Sequence, residues 1–441
     1  MRYKIYTLGC KVNQFESAAM ESLLGERGHQ SPGESTGNAN EKLDAVIINT
    51  CAVTAESGRK SRQAVRRERQ KNPGAVIAVC GCFSQLSPEE IKALQADIVY
   101  GSGDRTGFVK ELEKAFESRQ GEAQDFSASG IDDPFKRSRI EDLPVGSLEG
   151  RTRAYLKIED GCDNFCAYCI IPYARGRVRS LSPERAGELA RELSQKGYRE
   201  LVITGIEISS YGKDLPGKPS LIDALEQISK AAPSLRLRLG SLEPTIITRD
   251  FVSRLKALGN ICPQFHLSLQ SGSDEILRLM RRKYDAADFY NAASLLRESF
   301  AGCAITADLI CGFPGETEKL HREALEFIEK CGFSSMHIFP YSIREGTKAE
   351  KMEGHLDNKT KARRAKEASL IAEKMQKEYL QSQIGERLSV LFETEEDGFS
   401  RGHSENYCLV ETEKINLRRL VKCVEITGIK DEMLVGKVIE I

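Results

Sequence analysis

RAYLKIEDGCDNFCAYC, residues 153–169, decides the fold. Its first six residues are a candidate strand. Three cysteines, Cys162, Cys166 and Cys169, follow at once in C-x3-C-x2-C spacing. Downstream, further strands are expected at 200–204, 235–240, 264–269, 304–311 and 334–341. Helix-length segments at 183–196, 220–231, 249–257, 275–281, 286–298 and 316–330 lie between them. Ser182 and Pro183 supply a cap and a first-turn proline to one helix, and Leu221, Ile222, Leu225 and Ile228 give the next a single apolar face. Strands alternating with helices imply a parallel sheet. Six such units make a (β/α)6 sheet, curved or partly closed as a barrel. Ligands of such sheets gather at the carboxyl ends of the strands, where the three cysteines stand.

The same alternation precedes this region. Apolar runs at 3–9, 44–49, 75–80 and 97–101 alternate with helical segments at 14–27, 56–71, 87–95 and 105–118. They predict a separate parallel α/β domain over residues 1–118. Residues 119–150 are rich in Ser, Asp and Gly, contain Pro134 and Pro144, and read as a linker or surface wrap. The (β/α)6 domain is expected over 151–383, closing on a basic amphipathic helix at 358–382. Short strands at 387–393, 407–411, 420–427 and 433–440 then predict a small β-barrel over 384–441.

The 441 residues are 29% charged and 40% hydrophobic, as in ordinary folded protein, which excludes global disorder. The net charge is −1, so any nucleic-acid site must be a local patch. No apolar run reaches the roughly 18–20 residues of a membrane span, and MRYKIYTLGCKVNQ lacks a signal-peptide core. A cytoplasmic location is expected.

Thirteen scattered cysteines, an odd number, argue against a secreted disulfide framework. Three thiolates within eight residues suit one metal centre. Structural zinc needs a fourth ligand, and no second knuckle follows, so an iron–sulfur cluster with one open iron is favoured and zinc stays the alternative. Cys10, Cys51 and Cys82 are far apart in sequence, but each follows a strand of the first sheet. Their loops therefore emerge at one edge and are able to grip one object. Buried structural cysteines would also fit that spacing.

The C-x3-C-x2-C set, with Tyr168 before its last cysteine, resembles the signature of the radical S-adenosylmethionine (SAM) enzymes. GCKVNQFES (9–17), NTCAVTAES (49–57) and GCFSQ (81–85) resemble the N-terminal domain of the methylthiotransferases within that group. The resemblance implies two 4Fe-4S clusters, one held by Cys162, Cys166 and Cys169 and one by Cys10, Cys51 and Cys82, with Cys80 left to packing. It implies that the first cleaves SAM to a 5′-deoxyadenosyl radical while the second carries the sulfur. It places Thr204, Gly205, Glu243, Gln270 and Asp308 around SAM. The usual Gly-Gly-Glu after the second strand here reads Thr204-Gly205-Ile206-Glu207, which displaces the acid. The tail is similar to an RNA-binding TRAM domain.

TLGCKVNQFES and NTCAVT are most similar to the branch acting on N6-threonylcarbamoyladenosine (t6A) at tRNA position 37. The implied reaction is methylthiolation of C2 of that base, with the tRNA anticodon loop as partner, sulfur and electron donors unidentified, and a monomer expected. The alternative substrates are isopentenyladenosine in tRNA or a ribosomal-protein aspartate. A non-enzymatic iron–sulfur or zinc RNA-binding module is the rival class. Three basic runs suit phosphates: Arg59 to Lys71, Arg175 to Arg179 and the helix near 358–382. The tail is acidic, with eight Lys/Arg against twelve Asp/Glu from residue 384. Any RNA face there must lie near Arg418, Arg419 and Lys422, with Tyr407 to stack on a base.

Overall fold

The computed structural model describes residues 1–31, 42–120, 128–146 and 151–439. Strands β1 (Tyr3–Thr7), β2 (Ala45–Thr50), β3 (Val76–Gly81), β4 (Ile98–Tyr100) and β5 (Ala128–Gly130) form one parallel sheet in that order. β2 and β3 are apolar at nearly every position because both sheet faces are covered. Val46, Ile48, Ile77 and Val79 pack on one side, and Ala45, Ile47, Val76 and Ala78 on the other.

β5 lies in the segment expected to link two domains. Its sequence, ASG, carries no strand signal; parallel pairing with β4 makes it one. The rest of that segment wraps the surface. Leu143 and Val145 are buried, and the Glu141 carboxylate accepts from the Arg105 and Thr106 N–H groups at 2.9 and 3.0 Å, capping the helix Arg105–Gln120. Residues 121–127 and 147–150 of the segment lie outside the described residues.

The central sheet contains β6 (Arg153–Lys157), β9 (Glu200–Thr204), β10 (Arg236–Leu239), β11 (Ser241–Leu242), β12 (Gln264–Gln270), β13 (Ala304–Cys311) and β14 (Ser335–Pro340). The pairings β10-β9-β6 and β11-β12-β13-β14 are all parallel, and only Gly240 separates β10 from β11. Together they form a six-stranded arc. A short antiparallel ladder, β7 (Glu159–Asp160) with β8 (Arg179–Ser180), brackets the cysteine loop. Side chains alternate across the arc: Phe265, Leu267, Ile305, Ala307 and Leu309 join the core under the helices, while His266, Thr306 and Asp308 face the other way. The helix Lys11–Glu26 of the first domain packs on β6, and the helix Asn358–Gln381 packs on β14. These helices flank the open side of the arc.

The tail is a closed barrel of β15 (Arg387–Glu396), β16 (Phe399–Ser404), β17 (Leu409–Thr412), β18 (Val421–Lys430) and β19 (Met433–Ile439). β16, FSRGHS, was not among the expected strands. Its inward positions are Ser400, Gly402 and Ser404, and a Cβ on Gly402 would stand 2.0 Å from the Leu391 carbonyl oxygen. Small residues fill that wall, so no apolar alternation marks it.

The barrel docks on the central sheet through charge. Buried Glu200 receives Arg236 at 2.6 Å and Arg238 at 2.8 Å, and these arginines also donate to the carbonyls of Ser389, His403, Ser404 and Glu405. Tyr407, expected to stack on a base, has ring partners within the protein and is 41% exposed. Its ring lies 4.7 Å from the Arg238 guanidinium, 5.2 Å from that of Arg153 and 4.6 Å from the His403 ring, so it is already stacked within the protein. Among the described residues, no helix is long and apolar enough to cross a membrane.

Candidate functional site

Cys162, Cys166 and Cys169 lie on the loop after β7, at the carboxyl end of the first strand of the arc. Backbone bonds pin it: Cys162 N–H to the Gly176 carbonyl at 3.0 Å, Ala167 N–H to that of Met280 at 3.0 Å, and Ala349 N–H to that of Ala167 at 2.8 Å. Phe165 stacks on Phe135 at 6.2 Å and meets Tyr173 edge-on at 5.8 Å. Arg282 Nη1 donates to the Cys166 sulfur at 3.1 Å. Burial raises the Cys162 thiol well above its ordinary range. Burial, then the Cys166 charge, pushes Cys169 up to about 12. The Cys162 and Cys169 thiols resist becoming thiolates unless a cation joins them. The donor set therefore fits a cationic metal cluster.

The second triad forms at the carboxyl edge of the first sheet. Cys10 precedes the helix Lys11–Glu26, Cys51 follows β2, and Cys82 opens the short helix Cys82–Leu86 after β3. Gly9, at φ +93°, lets the first two loops touch: a Cβ there would lie 2.5 Å from the Cys51 sulfur. Burial raises all three thiols, and their charges act on one another, Cys51 on Cys10, Cys82 on Cys51 and Cys10 on Cys82. Cys80 packs instead with Ile47, Ala78 and Phe108 on the opposite sheet face.

The two triads are neighbours. Cys82 charge also raises Cys169, and Cys51 and Cys169 both act on Arg344. Ile170 and Ile171, just after Cys169, pack in one cluster with Ala52, Cys82 and Phe83. Tetrahedral zinc at about 2.3 Å from each sulfur needs sulfurs roughly 3.8 Å apart. Among the described residues, the ligand group with all donor atoms within 4.8 Å of one another is His266, Asp308 and His337; neither cysteine triad is that tight.

A buried charge hub joins the domains between the triads. Glu16 takes ion pairs from Arg105 at 2.9 Å, Lys157 at 3.0 Å and Arg175. Arg175 also donates to the Cys82 sulfur at 3.1 Å and to Asn13 Oδ1 at 2.8 Å. The sequence pattern put Arg175 and Arg179 on a phosphate-binding surface; both are buried, paired with Asp160. Lys361 and Arg364 of the third basic run are buried too, Arg364 on Glu316 at 2.7 Å. Lys60, Arg66, Arg67 and Lys71 stay exposed on the helix Ala55–Lys71.

The other site candidates spread along the arc. The Thr204 carbonyl accepts from Ile158 N–H at 3.0 Å. A Cβ on Gly205 would lie 2.5 Å from Glu159 Oε2, which accepts from Glu207 N–H at 2.7 Å. Burial raises the Glu159 carboxyl well above its ordinary value. Burial, then Glu243, brings Glu207 up to about 7. Glu243 accepts from Arg282 at 2.8 Å and from Asn164 at 3.0 Å, tying the cysteine loop to the third strand. Gln270 sits at φ +67° at the end of β12. Asp308 is held by two histidines, His266 at 3.3 Å and His337 at 3.1 Å. Arg282, His266 and His337 escaped the sequence reading, since single cations in a strand or a basic run carry no motif.

Residues 156–328 match the radical SAM superfamily model, and residues 2–101 match the uncharacterized protein family UPF0004. The structure of the radical SAM methyltransferase TsrM from Kitasatospora setae is similar at a TM-score of 0.55 and 15% identity, covering 90% of this chain and 79% of that one, a likeness of fold alone. The threonylcarbamoyladenosine tRNA methylthiotransferase MtaB of Bacillus subtilis is 37% identical over 92% of this chain and 89% of its own length. That of Thermotoga maritima is 38% identical over 88% and 86%. The tRNA-2-methylthio-N(6)-dimethylallyladenosine synthase of Pelotomaculum thermopropionicum is 31% identical over 99% and 97%. With relatives of this identity matched over most of their length, the chain belongs to the methylthiotransferase family of radical SAM enzymes.

Proposed function

We propose that the protein methylthiolates C2 of t6A at position 37 of tRNA. The observation carrying this reading is the pair of cysteine triads that share one packed seam, Cys82 acting on Cys169. Two relatives named for threonylcarbamoyladenosine are 37–38% identical and others so named 31–34%, against 31% for those named for dimethylallyladenosine; the higher pair supports the first base. A four-iron cluster on Cys162, Cys166 and Cys169 would supply SAM cleavage, and one on Cys10, Cys51 and Cys82 the sulfur.

The chain's own groups have separable tasks in this reading. Arg282 holds the Cys166 sulfur and Glu243 together, fixing the loop against the third strand. Thr204, Gly205, Glu243 and Gln270 are the SAM-facing set. Asp308, also expected around SAM, has its carboxylate engaged by two imidazoles. The exposed cations Lys60, Arg66, Arg67 and Lys71 follow the Cys51 loop and suit the anticodon-arm phosphates. A base in that loop is single-stranded and enters a pocket without melting a duplex.

Nucleoside mass spectrometry of tRNA from cells lacking the protein tests the substrate. The expected result is loss of 2-methylthio-t6A with accumulation of t6A. Loss of the 2-methylthio isopentenyl nucleoside instead would move the substrate to the alternative.

A further inference from the structure

Deepening the t6A reading and resting on it, we propose that the interior of the arc between Lys11 and the Asp308–His337 pair receives the carboxylate-bearing N6 side chain of the base, with the Phe339 ring facing the base. β12, β13 and β14 are adjacent, and Asp308 stands opposite His337 in register. Asp308 Oδ2 lies 3.3 Å from His266 Nε2, and Oδ1 lies 3.1 Å from His337 Nδ1. His266 Nδ1 is also engaged, by the Thr306 hydroxyl at 3.0 Å. With Nδ1 donating to Asp308, His337 presents its Nε2 outward, and its side chain is 66% exposed. Two residues on, Phe339 is 44% exposed on the same face of β14.

Lys11 approaches from the first domain. Its charge interacts with Asp308 and His337 from one side of the arc and with Arg153, Arg238 and Glu200 from the other. Lys11 opens the helix Lys11–Glu26, which packs on β6 at one side of the arc, and its side chain is exposed. Arg153 and Arg238 are spent on Glu393, Glu200 and the Tyr407 ring. The Lys11 ammonium has no hydrogen bond or ion pair among the described residues, and its side chain is exposed, which leaves it open to an anion. An uncommitted ammonium, an imidazole edge and an aromatic face match a carboxylate and hydroxyl carried on a purine. The donor spread of His266, Asp308 and His337 would admit a metal ion, but both Asp308 oxygens are already held and Lys11 repels a cation.

The test is binding of the full-length, anaerobically reconstituted protein to three anticodon stem–loops. They carry t6A, t6A methyl ester or unmodified adenosine at position 37. The acid is expected to bind about tenfold more tightly than the ester, as one lost charge-assisted contact implies. Lys11→Met and His337→Gln, checked for iron content, reduce that ratio toward one, and Lys11→Arg restores part of it. Equal binding of acid and ester by the unaltered protein, or an unchanged ratio in both variants, overturns the proposal. Failure of the unaltered protein to make 2-methylthio-t6A on the acid loop instead overturns the substrate reading.

Discussion

Alanine at Cys162, Cys166 or Cys169 lowers SAM cleavage and methylthiolation together by more than roughly a hundredfold. Loss of groups that merely support a metal ligand already costs about 10–100-fold, and these cysteines are the ligands themselves in the reading above. The loop around them is fixed independently, by the Gly176, Met280 and Ala167 carbonyls and by the Phe135–Phe165 stack. The variants are therefore expected to fold. The readout is 5′-deoxyadenosine formed with a chemical reductant under anaerobic conditions, with circular dichroism as the folding check. Cleavage within threefold of the parent in a folded variant would remove that cysteine from the ligand set.

Arg175→Met is expected to destabilise the protein by about 3–5 kcal/mol, because it strips a partner from two buried carboxylates and a buried sulfur. Its guanidinium serves Glu16, Asp160, Asn13 and Cys82, joining the first domain to the central sheet. Two positions on, Arg177 pairs with Asp163 at 3.2 Å, with side chains 65% and 42% exposed. Arg177→Met should change stability by less than about 0.5 kcal/mol. Thermal unfolding of the two variants side by side gives the comparison, with a drop on the order of 10 °C for the first. A drop no larger than that of Arg177→Met would show that the remaining cations satisfy the hub.

The hub also sets a pH dependence. Burial alone would raise Asp160, but Lys157, Arg175 and Arg179 hold it at about 2, below its ordinary 3.8. A depressed carboxyl stabilises the fold above the unfolded value and loses that contribution as pH falls through the folded one. In Arg175→Met the folded value rises toward 3.8 and the window closes from below, so Asp160 contributes less and acid unfolding begins at higher pH than in the parent.

The central arc was legible because its signals are local. The apolar run 200–204 is β9 residue for residue, and the helix Arg249–Ala257 matches its expected bounds. Both elements bury one contiguous face. The compact cysteine set was equally local, a spacing on one loop. What escaped depends on partners distant in sequence. β5 exists only because β4 offers an edge. β16 hides its pattern because its inward residues are serine and glycine. Arg175 read as a surface cation because its carboxylate, Glu16, is 159 positions away. Lys11 and His337, whose charges interact between the first domain and the arc, carry no shared motif.

Iron and acid-labile sulfide counts after anaerobic reconstitution test the two-cluster arrangement most directly. The parent should hold about eight irons, and the Cys10/Cys51/Cys82→Ala triple variant about four, with SAM cleavage retained and methylthio product absent. About four irons in the parent, or methylthio product from the triple variant, would contradict it.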